Sequence, residues 1–250
     1  MIEKINNFFV FDIAPEVISS LMAMGIILIL VIIIRIQAAF QDPLKKPKGL
    51  LLIGEIGVTF FDRLVEDLMG PRFRGFGGYI MAVATYLFIS FIFGLTGLPS
   101  PVTYMAVPLS LSLCTFVLIH ATSVKYTKWK YFQRYVDPMP LFLPINLISM
   151  WAPVLSLTLR LVGNAIAGWT LMSILYFGLQ NLSAMVFSSI PEGWNTLFFA
   201  PFVTPILHAY FDFFSGFIQT TVFIFLTMCL INNEVPDDVD DISLAVKGGR

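Results

Sequence analysis

The chain has 250 residues, of which 57% are hydrophobic and 12% charged, with a formal net charge of −1 and a mean hydropathy of +0.83. Uncharged runs approach or exceed the roughly 20 residues that a bilayer crossing needs, which excludes a soluble globular domain. The near-neutral balance gives no electrostatic footprint for nucleic acid or an acidic ligand.

The composition predicts an all-α, polytopic membrane protein forming one membrane domain over residues 1–250. The opening, MIEKINNFFVFDIAPE, carries acids ahead of the first apolar run and no small-residue cleavage site, so it does not read as a cleaved signal peptide. Val17 to Ile34 is uncharged and ends at Arg35, which predicts a first crossing over 17–36. A basic, proline-broken linker (QDPLKKPK) follows, and then a mixed segment, 49–69, with Glu55, Asp62, Arg63, Glu66 and Asp67. That segment is too charged to cross. Its Ile53, Ile56, Phe60, Leu64 and Leu68 recur every three or four residues, which predicts an amphipathic helix on the membrane surface.

Gly75 to Val124 contains no acid, lysine or arginine and is interrupted only by GLTGLPSP, so a hairpin of two crossings is predicted at 78–98 and 104–124. The basic aromatic loop KYTKWKYFQRY then reads as an interface anchor. As one helix, Met139 to Gln180 would span roughly 60 Å, twice the hydrocarbon core. Pro140, Pro144 and Pro153 are expected to break its first part, leaving a short membrane-embedded segment and a long tilted helix within 139–180. A second long tilted helix is predicted over 196–231, and the acidic residues 232–250 read as a solvated tail.

Basic residues crowd the first and third connections, with Lys45, Lys46, Lys48, Arg63, Arg72 and Arg74 in one and Lys125, Lys128, Lys130 and Arg134 in the other. The second and fourth connections have none, so the N-terminus is expected outside and the C-terminus in the cytoplasm of a bacterial cell, with a mitochondrial inner membrane the less favoured setting. Cys114 and Cys229 fall inside apolar spans and are expected to be packing residues. His120 and His208 are too far apart in sequence to suggest a metal site, and none is expected.

Two polar features interrupt the long apolar runs. Between Pro138 and Pro191 there is no carboxylate, and Arg160 is the only basic side chain. A charge at the centre of a bilayer costs about 2.5–3.5 kcal/mol on insertion scales, so such residues face a protein interior or a watery path. Ser156 and Asn164 share its helix face at i−4 and i+4, while Gly163, Ala165, Ala167 and Gly168 leave room for a second helix to approach. In the last span Asp212 is the only carboxylate, and His208, Asp212, Ser215 and Gln219 fall at i, i+4, i+7 and i+11, with Thr204 extending the stripe. Such a stripe can hold a file of water and pass protons. The plainer alternative is that Asp212 neutralises Arg160.

The run LSLTLRLVGNAIAG, together with Gln219 in GFIQTTVFIFLTMCLI, resembles the signature of subunit a of the F-type ATP synthase membrane sector. The resemblance implies that Arg160 is the essential stator arginine, with Asn164 and Gln219 as companions, and that Gly163 and Ala167 face a rotating ring of c subunits. It further implies two offset aqueous half-channels and contacts with a b-type peripheral stalk and the other ATP synthase subunits in the lipid bilayer. It implies no cofactor, with ATP chemistry on other subunits; no GxxxxGK[ST] run occurs here. Trp169 stands where the family often carries an acid or histidine, and Val102 where an aspartate is common. Asp212 and His208 are then the main ionisable groups left for the outer path. Two other functions compete: a secondary proton or cation antiporter, although no inverted repeat is visible, and a structural anchor subunit in which Arg160 and Asp212 pair.

Overall fold

The computed structural model describes residues 15–41, 46–96, 98–128, 143–187 and 200–236. The expectations for residues 1–14, Lys45, Lys130, Arg134, Pro140 and the tail beyond 236 fall outside the described residues. Among the described residues every regular element is helical, and five helices are long and apolar enough to cross a membrane.

Helix α1 (Pro15–Phe40) is followed by α2 (Leu50–Met69), a 3-10 turn (Pro71–Phe76) and α3 (Gly77–Ile92). Two further 3-10 turns, Phe93–Thr96 and Pro101–Thr103, lead into α4 (Ala106–Thr127). Then come α5 (Leu143–Val186), α6 (Ala200–His208), one wide π turn (Ala209–Phe214) and α7 (Ser215–Asn232).

The core follows from helical periodicity. In α7 Gly216, Gln219, Thr220, Phe223, Ile224, Thr227, Met228 and Ile231 are all buried, a regular three-and-four stripe on one face. The facing stripe of α3 contains Ile80, Val83, Ala84, Leu87 and Phe91, and α5 adds Leu157 and Leu161. Gly216 lets α7 and α3 approach, since a Cβ there would lie 2.6 Å from that of Phe91. Helix α4 packs along α5, and the C-terminal part of α2 joins the core through Val65 and Met69. Towards its start, α2 leaves Ile53, Ile56 and Phe60 uncovered, the pattern of a helix that lies against lipid.

The long apolar run after residue 142 does not divide as the prolines suggest. One 44-residue helix, α5, runs from Leu143 to Val186 with Pro153 inside it. Pro144 is its second residue, where a backbone N–H has no helical acceptor in any case. Pro153 forfeits only its own bond to the Ser149 carbonyl, a loss that membrane helices tolerate when neighbours pack around the gap. At 1.5 Å per residue α5 is roughly 66 Å long, so it must lie steeply oblique to a core about 30 Å thick or project beyond it.

Cys114 and Cys229 also differ from expectation: both sit on outward faces of α4 and α7, not in the packed interior. An apolar thiol facing lipid carries no solvation cost, so burial does not follow from its type as it would in water.

Helix α1 is buried only near its start, and farther along the Ile34 side chain rests against Gly54 of α2. Only Ser19, Ser20 and Ala23 are buried, and the Ser20 hydroxyl hydrogen-bonds the Tyr86 hydroxyl of α3 at 2.7 Å. Tyr86→Phe should lose about 0.5–1.5 kcal/mol of this attachment. In amide exchange, residues 19–23 should then open up to about tenfold faster while α3 and α7 keep their protection; uniform protection in the variant would show that α1 is held by other contacts.

Candidate functional site

Arg160 lies near the middle of α5 with its side chain exposed, and among the described residues it has no hydrogen-bond or ion-pair partner. Ser156, Gly163 and Ala167 are exposed around it, and no residue between Leu161 and Met172 is buried. The small side chains leave a shallow, uncovered strip three turns long with one guanidinium in it. A guanidinium stays protonated at any accessible pH, and lipid is a poor solvent for it. This strip therefore requires another protein surface.

Among the described residues Arg160 and Asp212 form no ion pair. The Asp212 carboxylate Oδ2 instead accepts a 2.6 Å hydrogen bond from Nδ1 of His208, one helical turn earlier. On the other side of the imidazole, Nε2 lies 2.8 Å from the Tyr176 hydroxyl of α5. With Nδ1 donating to Asp212, a neutral ring accepts the tyrosine proton at Nε2, whereas a charged ring donates there. The three groups can thus hold or pass a proton without changing position. Asp212 fits because residue 94 is glycine: a Cβ there would stand 3.1 Å from the carboxyl carbon and 3.2 Å from each oxygen.

The stripe predicted on the last helix is divided in the structure. The wide turn Ala209–Phe214 inserts an extra residue into the helical repeat, so His208 and Asp212 are rotated relative to Ser215 and Gln219. Both pairs meet α5, the first through Tyr176 and the second through Asn164: Ser215 Oγ donates to Asn164 Oδ1 at 3.4 Å, and Asn164 Nδ2 donates to Gln219 Oε1 at 3.5 Å. Thr204, which was expected to extend the stripe, is buried.

A cavity of about 680 Å³ joins the two groups, with Asn164 and Ser215 on its wall beside His208 and Asp212. It lies at the end of the bundle where α1 begins, α3 ends and α4 begins, and Trp169 forms part of its α5 wall. Arg160 is outside the cavity, one turn from Asn164. A volume of this size with several polar groups holds many waters. Chemically, the arrangement is a watery pocket leading through a titratable Tyr176–His208–Asp212 group and an amide bridge to a fixed cation on the outer face.

Sequence reasoning missed Tyr176, Gly94 and Glu16. Tyr176 and Gly94 carry no local signal, because their roles arise from tertiary contacts with the last helix. Glu16, which lines the cavity, was visible only as the acid heading the first span.

Comparison with known proteins gives a consistent result. The family model described as ATP synthase A chain matches residues 17–232. The chain is 27% identical to ATP synthase subunit a of Mycoplasma genitalium, covering 90% of this chain and 85% of the relative. It is 29% identical to ATP synthase subunit a of Oceanobacillus iheyensis, covering 88% and 91%. It is also 29% identical to the Propionigenium modestum protein named ATP synthase subunit a, sodium ion specific, covering 71% and 61%.

The notch at Gly94 is directly testable. Gly94→Val places methyl groups against the Asp212 carboxylate and should cost about 1–3 kcal/mol by overpacking, read as a lower unfolding midpoint in detergent. Adding Asp212→Ala vacates the space and should restore most of that loss. A double variant no more stable than Gly94→Val would show that Asp212 does not occupy the notch.

Proposed function

This chain belongs to the ATP synthase A chain family, and on that premise we propose that it is the ion-conducting stator subunit of an F-type ATP synthase. Protons reach and leave the carboxylates of a rotating c-subunit ring through it, and Arg160 is the gate between two half-channels. The observation that carries this reading is the uncovered Arg160 strip, with a cation that has no partner among the described residues of its own chain.

The physical steps follow from the charges. A carboxylate brought beside a fixed guanidinium has its ionised form favoured, so it gives up its proton there. Once past Arg160 and facing lipid, it must be reprotonated, because an ionised carboxylate is too costly in hydrocarbon. The cavity bordered by Asn164, Ser215, His208 and Asp212 is the outer half-channel that exchanges those protons. Asn164 and Gln219 carry the polar surface from that cavity towards Arg160. The guanidinium repels a proton moving directly between half-channels, so flow is tied to rotation. Each charge crossing 100 mV releases about 2.3 kcal/mol, which is the energy available for torque.

In this reading Gly163 and Ala167 face the ring, and a b-type peripheral stalk holds the subunit against it. The subunit performs no chemistry on ATP. It sits in a bacterial cell membrane with the N-terminus and the cavity outside and the C-terminus in the cytoplasm, as the basic connections indicate.

ATP-driven proton pumping in vesicles is the test. Arg160→Ala should abolish pumping in complexes that assemble in normal amount, and pumping at the parent rate would overturn the reading. Asp212→Asn keeps the size and an acceptor for His208 but cannot ionise. Its pumping should fall on the order of a hundredfold, the scale of losing a positioned proton-transfer group, with assembly intact. Normal flux in that variant would take Asp212 off the path.

A further inference from the structure

We propose that Glu16 is the proton-collecting carboxylate of the outer cavity, a role that neither of the two long C-terminal helices fills at the cavity's far wall. The proposal rests on the reading of this cavity as the outer half-channel.

Glu16 stands in the first turn of α1, half-buried, with its residue on the cavity wall. Among the described residues its carboxylate has no hydrogen-bond or ion-pair partner. A half-buried carboxylate with no partner among the described residues is served by water, and the cavity provides it. The buried residues of α1 are confined to this region, although Ile34 farther along packs against Gly54 of α2. Ser19, Ser20 and Ala23 are the only buried residues of α1, and the Ser20–Tyr86 bond pins the turn that follows Glu16. Most of the rest of α1 faces outward, so its buried contact with the bundle lies where its acid meets the cavity.

The other walls do not supply such a group. Helix α5 presents Trp169 there, and the connection from α3 to α4 presents Thr103 and Tyr104, while Val102 is wholly buried. Among the described residues, the titratable groups that share the cavity with Glu16 are therefore Tyr104 from that connection and His208 and Asp212 from the last helix. Tyr86 of α3 is occupied by Ser20. Asp212 is already bonded to His208 and tucked against Gly94, which suits it to hand protons onward but not to capture them from outside.

Two carboxylates on one water-filled cavity with low-dielectric walls raise the local concentration of cations. Glu16 takes a proton from hydronium, releasing water, and returns to carboxylate as the proton passes through cavity water to the His208–Asp212 pair. In the pumping direction the same steps run backwards.

The test uses the whole ATP synthase in vesicles, with ATP synthesis driven at fixed total force while the pH on the outer side is varied, and with rates expressed per assembled complex. Glu16→Gln should lower the rate on the order of tenfold at neutral outer pH, with the deficit closing as that side is acidified. Glu16→Asp should recover most of the rate, and Trp169→Glu added to Glu16→Gln should recover part of it by placing an acid on the opposite wall. A parent rate and unshifted pH profile in Glu16→Gln overturns the proposal. So does a deficit that acidification, Glu16→Asp and Trp169→Glu all fail to relieve, or a failure of Glu16→Gln and its double variant to assemble, because these mark Glu16 as structural. Arg160→Ala in the same series separates the two claims: if it synthesises ATP normally, the parent reading fails, and if only Glu16→Gln is normal, the Glu16 assignment alone fails.

Discussion

The guanidinium of Arg160 cannot lose its charge, and α5 carries it on a face that the described residues of its own chain do not cover. Much else in the molecule follows from that constraint. The side chains around it are small, so a second surface can come close, and none of the residues from 162 to 171 is buried. Had Asp212 been placed within reach, the charge would have been satisfied internally and the strip would be an ordinary lipid-facing surface. Instead Asp212 is held by His208 and Gly94, and the separation of the two opposite charges keeps both available.

The wide turn at Ala209–Phe214 lies between His208 and Ser215, and α5 meets the last helix on both sides of it: Tyr176 bonds His208, and Asn164 bonds Ser215 and Gln219. Asn164 is the shared point: it borders the cavity, bonds both Ser215 and Gln219 and stands one turn from Arg160. Proton traffic can therefore approach the cation through water and amides while the cation itself stays outside the water-filled volume. In energetic terms a hydrated path ends where a low-dielectric protein contact begins, which is where a fixed charge acts most strongly on a passing carboxylate.

The helical, membrane-embedded character and the isolation of Arg160 were legible because both are matters of composition: a charge is conspicuous when nothing around it is charged. Helix packing in α7 was not legible, because a helix apolar on every side gives no contrast to mark its buried face, which here includes Gln219, Thr220 and Thr227. The continuity of α5 was not legible either, because proline reads as a break from local chemistry, whereas at Pro153 only one backbone bond is lost. Nor was the wide turn, since the spacing of His208, Asp212, Ser215 and Gln219 fits a regular helix, and the departure from it appears only in three dimensions. The partners of His208 and the space for Asp212 come from Tyr176 and Gly94, 32 residues away in one case and on another helix's end in the other. Glu16 is the same kind of case, an unremarked helix-leading acid until α1 is seen against the cavity.

The central claim is that the Arg160 strip is covered by a ring bearing membrane carboxylates. It is tested most directly by a disulfide between a cysteine at position 167 and one placed beside the ring carboxylate, with Cys114 and Cys229 replaced by serine. The account predicts that this bond forms in the assembled complex, that it stops ATP-driven pumping, and that reduction restores it. If no bond forms there, and a cysteine at position 157 on the buried face of α5 links to the ring instead, the strip does not face the ring and the account is contradicted.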